Sequence, residues 1–379
     1  MSPATRWVRS SDEWRDPRQV VSLWREADRV PPARLASRVR GRFWEAVERS
    51  RSNLIVTREY EHLVMALAVV KGRPRITYLP LPHPSGVAVD RRRGLVHIAS
   101  TRNPNQIFDL APATAPGRPL VPVRSRFYPG GLYLHDLALV GGRLLGNAVG
   151  WNAVVQLGDG GAVRPVWWPR CVEARGRPDV SRNHIQLNSI AAGATLASSC
   201  FTASADEVLP VKPGDPAFPV DGRGVIFSGA TRRAVIRGLT RPHSARWLGR
   251  RLWVDNSGYG EVGVVDGAFF RHVLRLRGWT RGLAFAPGAG FAGTSRVIPR
   301  FRAYAPGVDP ATSECGVHAF DPRTGRVLGS LLWPAGNQIF AIEACPASMT
   351  TGLPFPAGEA AARRFFYGFS TRLMEGRTR

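Results

Sequence analysis

The chain of 379 residues is longer than an ordinary single domain, and 44% hydrophobic residues with 40 glycines and 31 prolines describe a turn-rich globular protein with a large core. The formal charge of +24 rests almost wholly on arginine, since Lys71 and Lys212 are the only lysines, and Arg91, Arg92 and Arg93 form the longest basic run. A nucleic-acid groove needs clustered basic residues with interleaved aromatics, so this scatter argues against nucleic acid and favours an anionic small molecule or an acidic protein partner.

The first 18 residues are polar and lack the apolar core of a secretory signal, and no apolar run reaches the roughly 18–20 residues of a membrane span. Cys171, Cys200, Cys315 and Cys345 show no C-x-x-C spacing, which argues against a zinc knuckle and for free thiols in a reducing cytoplasm. Residues 12–50 carry apolar residues at helical spacing: Val20, Val21 and Trp24 in one stripe, Leu35, Val39, Phe43, Trp44 and Val47 in another. Pro31 and Pro32 separate two predicted helices, so residues 1–50 are expected to form a helical extension packed on the main domain.

From Asn53 the texture changes to short β-rich runs broken by Gly, Pro and Asp. A unit recurs about every 40–60 residues, the size of a four-stranded blade. It has a polar residue, a small-apolar strand, a tight turn, a second apolar strand and then a third. His83-Pro-Ser-Gly-Val-Ala-Val-Asp opens the clearest copy; His135-Asp-Leu-Ala-Leu-Val, Asn188-Ser-Ile-Ala-Ala, His243-Ser-Ala-Arg-Trp and Arg281-Gly-Leu-Ala-Phe open the next four. Gln338-Ile-Phe-Ala-Ile-Glu begins a sixth that stops at Cys345, while the strands within 53–81 lack an inner strand of their own. Pairing the two closes a ring and removes exposed sheet edges. The expected architecture is therefore all-β: a six-bladed β-propeller over 51–355, a helical extension over 1–50 and a tail over 356–379.

The segments H-D-L-A-L, H-I-Q-L-N-S-I-A, R-P-H-S-A-R-W, L-W-V-D-N-S-G-Y-G-E, T-R-G-L-A-F, G-T-S-R-V and C-G-V-H-A-F-D-P-R-T-G, with W-W-P-R at 167–170, resemble in order the bacterial family known as domain of unknown function 4915. The resemblance spans about residues 50–355; segment 202–225 and the N-terminus depart from it. It implies a propeller-like fold and supplies no activity.

Inner strands line the axis of a propeller, so equivalent residues of successive repeats converge although far apart in sequence. This brings together His83, His135 with Asp136, His184 with Asn188, His243, Arg281 and Gln338. Three readings are open. His135, His184 and His243 suit a divalent metal. The same imidazoles suit proton transfer, with His135, Asp136 and His243 as catalytic candidates and His83, Asn188, Arg281 and Gln338 contacting substrate. Or the ring is a structural network satisfying buried polar groups. His62, His97, His272 and His318 are expected in outer strands, as packing or surface. Asp255-Asn256-Ser257-Gly258-Tyr259-Gly260 reads as a tight turn rather than a calcium loop. No nucleophile elbow, P-loop or dinucleotide fingerprint is present. Two functions follow: a small-molecule-binding propeller, with metal-assisted hydrolase or lyase chemistry by analogy of fold to gluconolactonase-like propellers, or a non-catalytic interaction scaffold.

Overall fold

Successive side chains of a strand point to opposite faces, so strands apolar at every position need a neighbouring layer on both sides. The runs 54–56 and 63–68 are of this kind. In the computed structural model, which describes residue 27 and residues 30–357 apart from 103–104, 115–117 and 129–130, Leu54, Val56, Met65 and Leu67 pack toward one neighbouring sheet, and Ile55, Val64 and Ala66 toward the other. The same division runs round the molecule and produces a core cluster between every pair of adjacent sheets.

Four four-stranded and two five-stranded antiparallel sheets make up a six-bladed β-propeller. Numbered by the sequence repeats, blades 1 to 5 have inner strands Pro84–Asp90, Leu134–Val140, Leu187–Ala191, Pro242–Leu248 and Trp279–Ala286. Blade 6 joins the chain ends: Ala341–Pro346 pairs with Ser52–Arg58, followed by Leu63–Val70 and Arg73–Pro80. The predicted closure is therefore present. Phe355–Pro356 adds a short outer strand to the same blade.

The N-terminal expectation is corrected in part. The stripe 20–24 lies outside the described residues. Of the second predicted helix only Phe43–Arg49 is helical, burying Phe43, Ala46 and Val47 against blades 5 and 6. Val39 instead sits in strand Arg38–Gly41, paired with the outer strand of blade 5, its side chain 46% exposed. Gly41 separates the two: it has φ +62°, and a Cβ there would lie 2.8 Å from the Leu328 carbonyl oxygen. Sheet-edge pairing wins over a helical period that had no face to bury.

The inner strands of blades 1 to 5 each carry a bulge near their start. A bulge re-aims consecutive side chains, breaking simple alternation. Matching the registers aligns Ser85, His135, Asn188, His243 and Arg281 at one position, and Gly86, Asp136, Ser189, Ser244 and Gly282 at the next.

That second position fastens blade to blade. Asp136 Oδ2 accepts the Ile190 N–H (2.9 Å), Ser189 Oγ that of Ala245 (2.9 Å), and Ser244 Oγ that of Gly282 (2.7 Å). Ser85 Oγ donates to the Leu134 carbonyl (3.0 Å), Ser295 Oγ accepts the Ile339 N–H (3.0 Å), and Thr57 Oγ1 donates to the Ser85 carbonyl (2.6 Å), completing the circuit. Where the second position is Gly86, a Cβ would lie 2.5 Å from the Leu137 nitrogen of the next blade. The small residue is a packing requirement.

Candidate ligand-binding site

One residue before the fastening position in blades 2 to 5, the side chain turns toward the axis. His135, Asn188, His243 and Arg281 line a pocket of about 900 Å³. Two residues earlier still, Tyr133, Gln186, Arg241, Trp279 and Gln338 form a second tier of the same pocket. Tyr133, Gln186 and Arg241 have φ of 52°, 51° and 53°, a left-handed conformation unfavourable for non-glycine residues. Asn105 Oδ1 holds the strained Tyr133 by accepting its N–H at 3.0 Å.

Two insertions complete the walls. Pro299–Tyr304, between the second and third strands of blade 5, brings Phe301 and Tyr304 against Trp279, with ring centroids 5.1 and 6.0 Å away. Segment 204–223 of blade 3 supplies Lys212, and Arg182 anchors it by donating to the carbonyls of Leu209 (2.6 Å) and Pro210 (2.9 Å).

At the centre, Arg281 Nη2 donates to His243 Nε2 (3.0 Å) and His135 Nε2 (3.4 Å). A guanidinium only donates, so both Nε2 atoms present lone pairs and both imidazoles carry their proton on Nδ1. His135 Nδ1–H then donates to the Asn188 carbonyl (3.2 Å), and His243 Nδ1–H to Ser244 Oγ (2.8 Å). Burial, reinforced by the Arg281 charge, lowers the His135 pKa to about 3 and moves His243 well below the ordinary imidazole value. Both rings are neutral.

Ser244 Oγ already accepts from His243 and Gly282, so its own proton is left for Asp255. Asp255 is fully buried, and neither of its oxygens has a well-formed hydrogen bond. Burial raises its pKa well above the carboxylate range, against the opposing pull of Ser244, Arg246 and Arg281. The segment after Asp255 is the expected tight turn, Ser257–Tyr259, capped by Gly260 at φ +66°.

The pocket is rich in cations. Arg102, Arg182, Lys212, Arg241 and Arg281 line it, with Glu59 the one carboxylate among the lining residues. Glu59 is engaged by the Thr101 hydroxyl (2.5 Å) and lies 3.8 Å from Arg102. Arg241 and Arg281, 7% and 4% exposed, have no carboxylate within salt-bridge distance among the described residues, and the Nε of each lacks a partner. Their faces are covered by aromatic rings. Arg281 lies 4.0 Å from the centroid of Phe340 and 4.9 Å from Trp279; Arg241 lies 4.1 Å from Tyr304. Burial lowers the pKa of both, Arg241 to about 10.

The residues singled out from sequence divide. His135, Asn188, His243, Arg281 and Gln338 meet in the pocket. Asp136 does not face it. Besides fastening blade 3, its carboxylate receives Arg246 (3.2 Å), which also pairs with Glu343 (2.9 Å), so that three blades are tied together across the axis beneath the pocket. Alanines occupy the equivalent position in the other four blades (Ala88, Ala138, Ala191, Ala284), which leaves room for the Arg246–Glu343 pair.

His184 lies outside the pocket lining, four residues ahead of Asn188, with Nε2 on Asp179 (2.8 Å) and Nδ1 accepting from Arg182 (3.3 Å). His83 also lies outside the lining, edge-on to His62 at 4.3 Å and lowered by burial to about 3. The metal set of His135, His184 and His243 is thus not assembled. Two of its members point at a guanidinium, the third is held elsewhere, and no group of three or more His, Cys, Asp or Glu among the described residues is placed to hold a metal ion. Of the remaining histidines, His97 binds Asp109 (2.6 Å), His318 bridges Thr294 and Ser330, and His272 is exposed.

Tyr133, Arg241 and Trp279 escaped the sequence reading, although each lies two residues before a recognised position. Asp255 was visible only as part of a turn. No helix among the described residues is long and apolar enough to cross a membrane.

The family model described as domain of unknown function (DUF4915) matches residues 41–352. No curated protein matches the chain. Among solved structures, a chain of the nidogen/laminin complex aligns with TM-score 0.54 at 10% identity, covering 78% of this chain and 99% of that one. A gluconolactonase from Xanthomonas campestris gives 0.42 at 14% identity, covering 75% and 86%, and a streptogramin B lyase 0.38 at 12%, covering 72% and 74%. At such identities the likeness concerns the fold alone.

Proposed function

The chain belongs to the DUF4915 family, and for this member we propose a propeller that binds a small organic anion in its axial pocket. The observation that carries the proposal is the pair of buried guanidiniums, Arg241 and Arg281, without a carboxylate partner. A buried guanidinium without an ion-pair contact is costly, and although Glu59 and Asp255 act on Arg281 from a distance, a ligand that supplies a counter-charge in contact would offset that cost. Elsewhere the same chain pairs its buried arginines: Arg126 has Asp109 at 2.7 Å, and Arg246 has Asp136 and Glu343. A purely structural ring would do likewise. The pocket residues also bond across blades, His135 to the Asn188 carbonyl and Asn188 Nδ2 to the Pro242 carbonyl (2.9 Å), so it is the two guanidiniums, and not the ring as a whole, that call for a ligand.

The Nε2 lone pairs of His135 and His243 accept from Arg281, so a carboxylate that takes up this guanidinium would free both as hydrogen-bond acceptors beside the ligand. Acid–base chemistry on the bound anion is the reaction type these groups support, with no step through a metal. Four free thiols support the proposed cytoplasmic setting.

The test is calorimetry and thermal melting with a panel of carboxylates and phosphate. A ligand at a hundred times its Kd should stabilise the protein by about 2.7 kcal/mol. Arg241→Met and Arg281→Met should each abolish that gain; Arg241→Met should leave the apo protein about as stable as wild type, because a buried charge without an ion-pair partner is removed, whereas Arg281→Met also leaves the Nε2 atoms of His135 and His243 without their donor and should cost about 1–3 kcal/mol. Absence of stabilisation by every anion, or unchanged binding in both variants, refutes the proposal.

A further inference from the structure

Gln338 is 1% exposed and lines the pocket, and neither Nε2 nor Oε1 of its amide has a hydrogen-bond partner. Its backbone N–H faces Glu61 (3.4 Å), which places the residue without engaging the side chain. Buried amides are almost always bonded, because leaving donor and acceptor unmet costs the desolvation of both. The pocket's other unmet polar atoms are donors: the Nε atoms of Arg241 and Arg281, and Trp279 Nε1. An oxyanion can satisfy donors, but it cannot satisfy Gln338 Oε1, which requires an N–H or O–H.

The two halves of the Gln338 amide lie side by side, so one group offering an adjacent acceptor and donor meets both. A cis-amide edge, as in a lactam, a cyclic imide or a primary carboxamide, has this pattern. Resting on the anion-binding reading above, we propose that the ligand is an organic carboxylate that also carries an amide edge, its carboxylate on Arg241 and Arg281 and its amide paired with Gln338. Trp279, Phe301 and Tyr304 line the same pocket and supply apolar wall for the carbon skeleton that joins the two groups.

Matched acids differing only in the amide decide the matter: 5-oxopyrrolidine-2-carboxylate against cyclopentanecarboxylate, 3-carbamoylbenzoate against 3-methylbenzoate, and orotate against benzoate, each titrated calorimetrically into the full chain. At least one amide-bearing acid should bind about tenfold or more tighter than its partner, the penalty for leaving a site's polar groups unmet. In Gln338→Met that ratio should fall to about twofold or less. Gln338→Glu keeps the shape and removes the donor, and should also lose the preference, which guards against a Met-specific packing effect. If carboxylates bind without any amide preference, or the preference survives in both variants, this inference fails and the anion reading stands. If no carboxylate binds, both fall.

Discussion

Ser189 and Gln338 make opposite demands on stability, and substituting each separates the fastening ring from the pocket. Ser189 is fully buried, and its Oγ accepts the Ala245 N–H at 2.9 Å and shares a hydrogen bond with Thr202 Oγ1 at 2.7 Å. Ser189→Ala strands a backbone donor and a hydroxyl, both fully buried. At about 1–3 kcal/mol for each orphaned group, with some relaxation, the loss should be about 2–4 kcal/mol. For a domain of this size that corresponds to a fall in Tm of about 3–6 °C. Gln338→Met loses no protein partner and spares the burial of an amide, so its stability should lie within about 1 kcal/mol of wild type or above it. Urea unfolding followed by the fluorescence of the 11 tryptophans measures both. If Ser189→Ala unfolds with the wild-type midpoint, or Gln338→Met loses more than Ser189→Ala, the division of roles between adjacent positions is wrong.

Arg246→Met should cost about 3 kcal/mol, because it leaves the buried Asp136 and the half-buried Glu343 without their cation. Adding Glu343→Gln should recover part of that loss, and a double-mutant cycle by urea denaturation checks the coupling. Asp255 provides a test in pH. Its folded pKa is raised by burial, so its contribution to stability is complete below the unfolded value near ~4 and is lost as pH rises toward the folded value. Asp255→Asn should therefore gain on wild type as pH increases from 4.5 to 8. A difference in urea midpoint that stays constant over that range would show that Asp255 ionises normally in the fold.

Much of the architecture is written locally. The repeated polar-then-small-apolar strand starts gave five inner strands, and the unmatched strands at the two ends of the chain gave the closure of blade 6. The alanine that recurs in those motifs is legible as a local pattern, while its setting is tertiary, the axial position shared with the Arg246–Glu343 pair. Periodicity failed at 35–41, where a helical stripe became strand Arg38–Gly41, because pairing with a distant sheet edge is invisible to a local pattern.

The pocket was legible as a set of positions but not as a set of directions. Alternation assigns side chains to faces only while the strand is regular, and the bulge in the inner strands of blades 1 to 5 turns His135 and Asp136, or His243 and Ser244, to different tasks. Tertiary structure alone decided that His184 belongs to Asp179, that Phe301 and Tyr304 arrive from an insertion, and that Arg281 reaches both imidazoles. The sequence by itself determined a closed ring with polar residues at its axis, because strand period and edge closure depend on short-range pattern and chain count. The unpaired charge of Arg241 and Arg281 is a property of what surrounds them in space, and only the folded ring could reveal it.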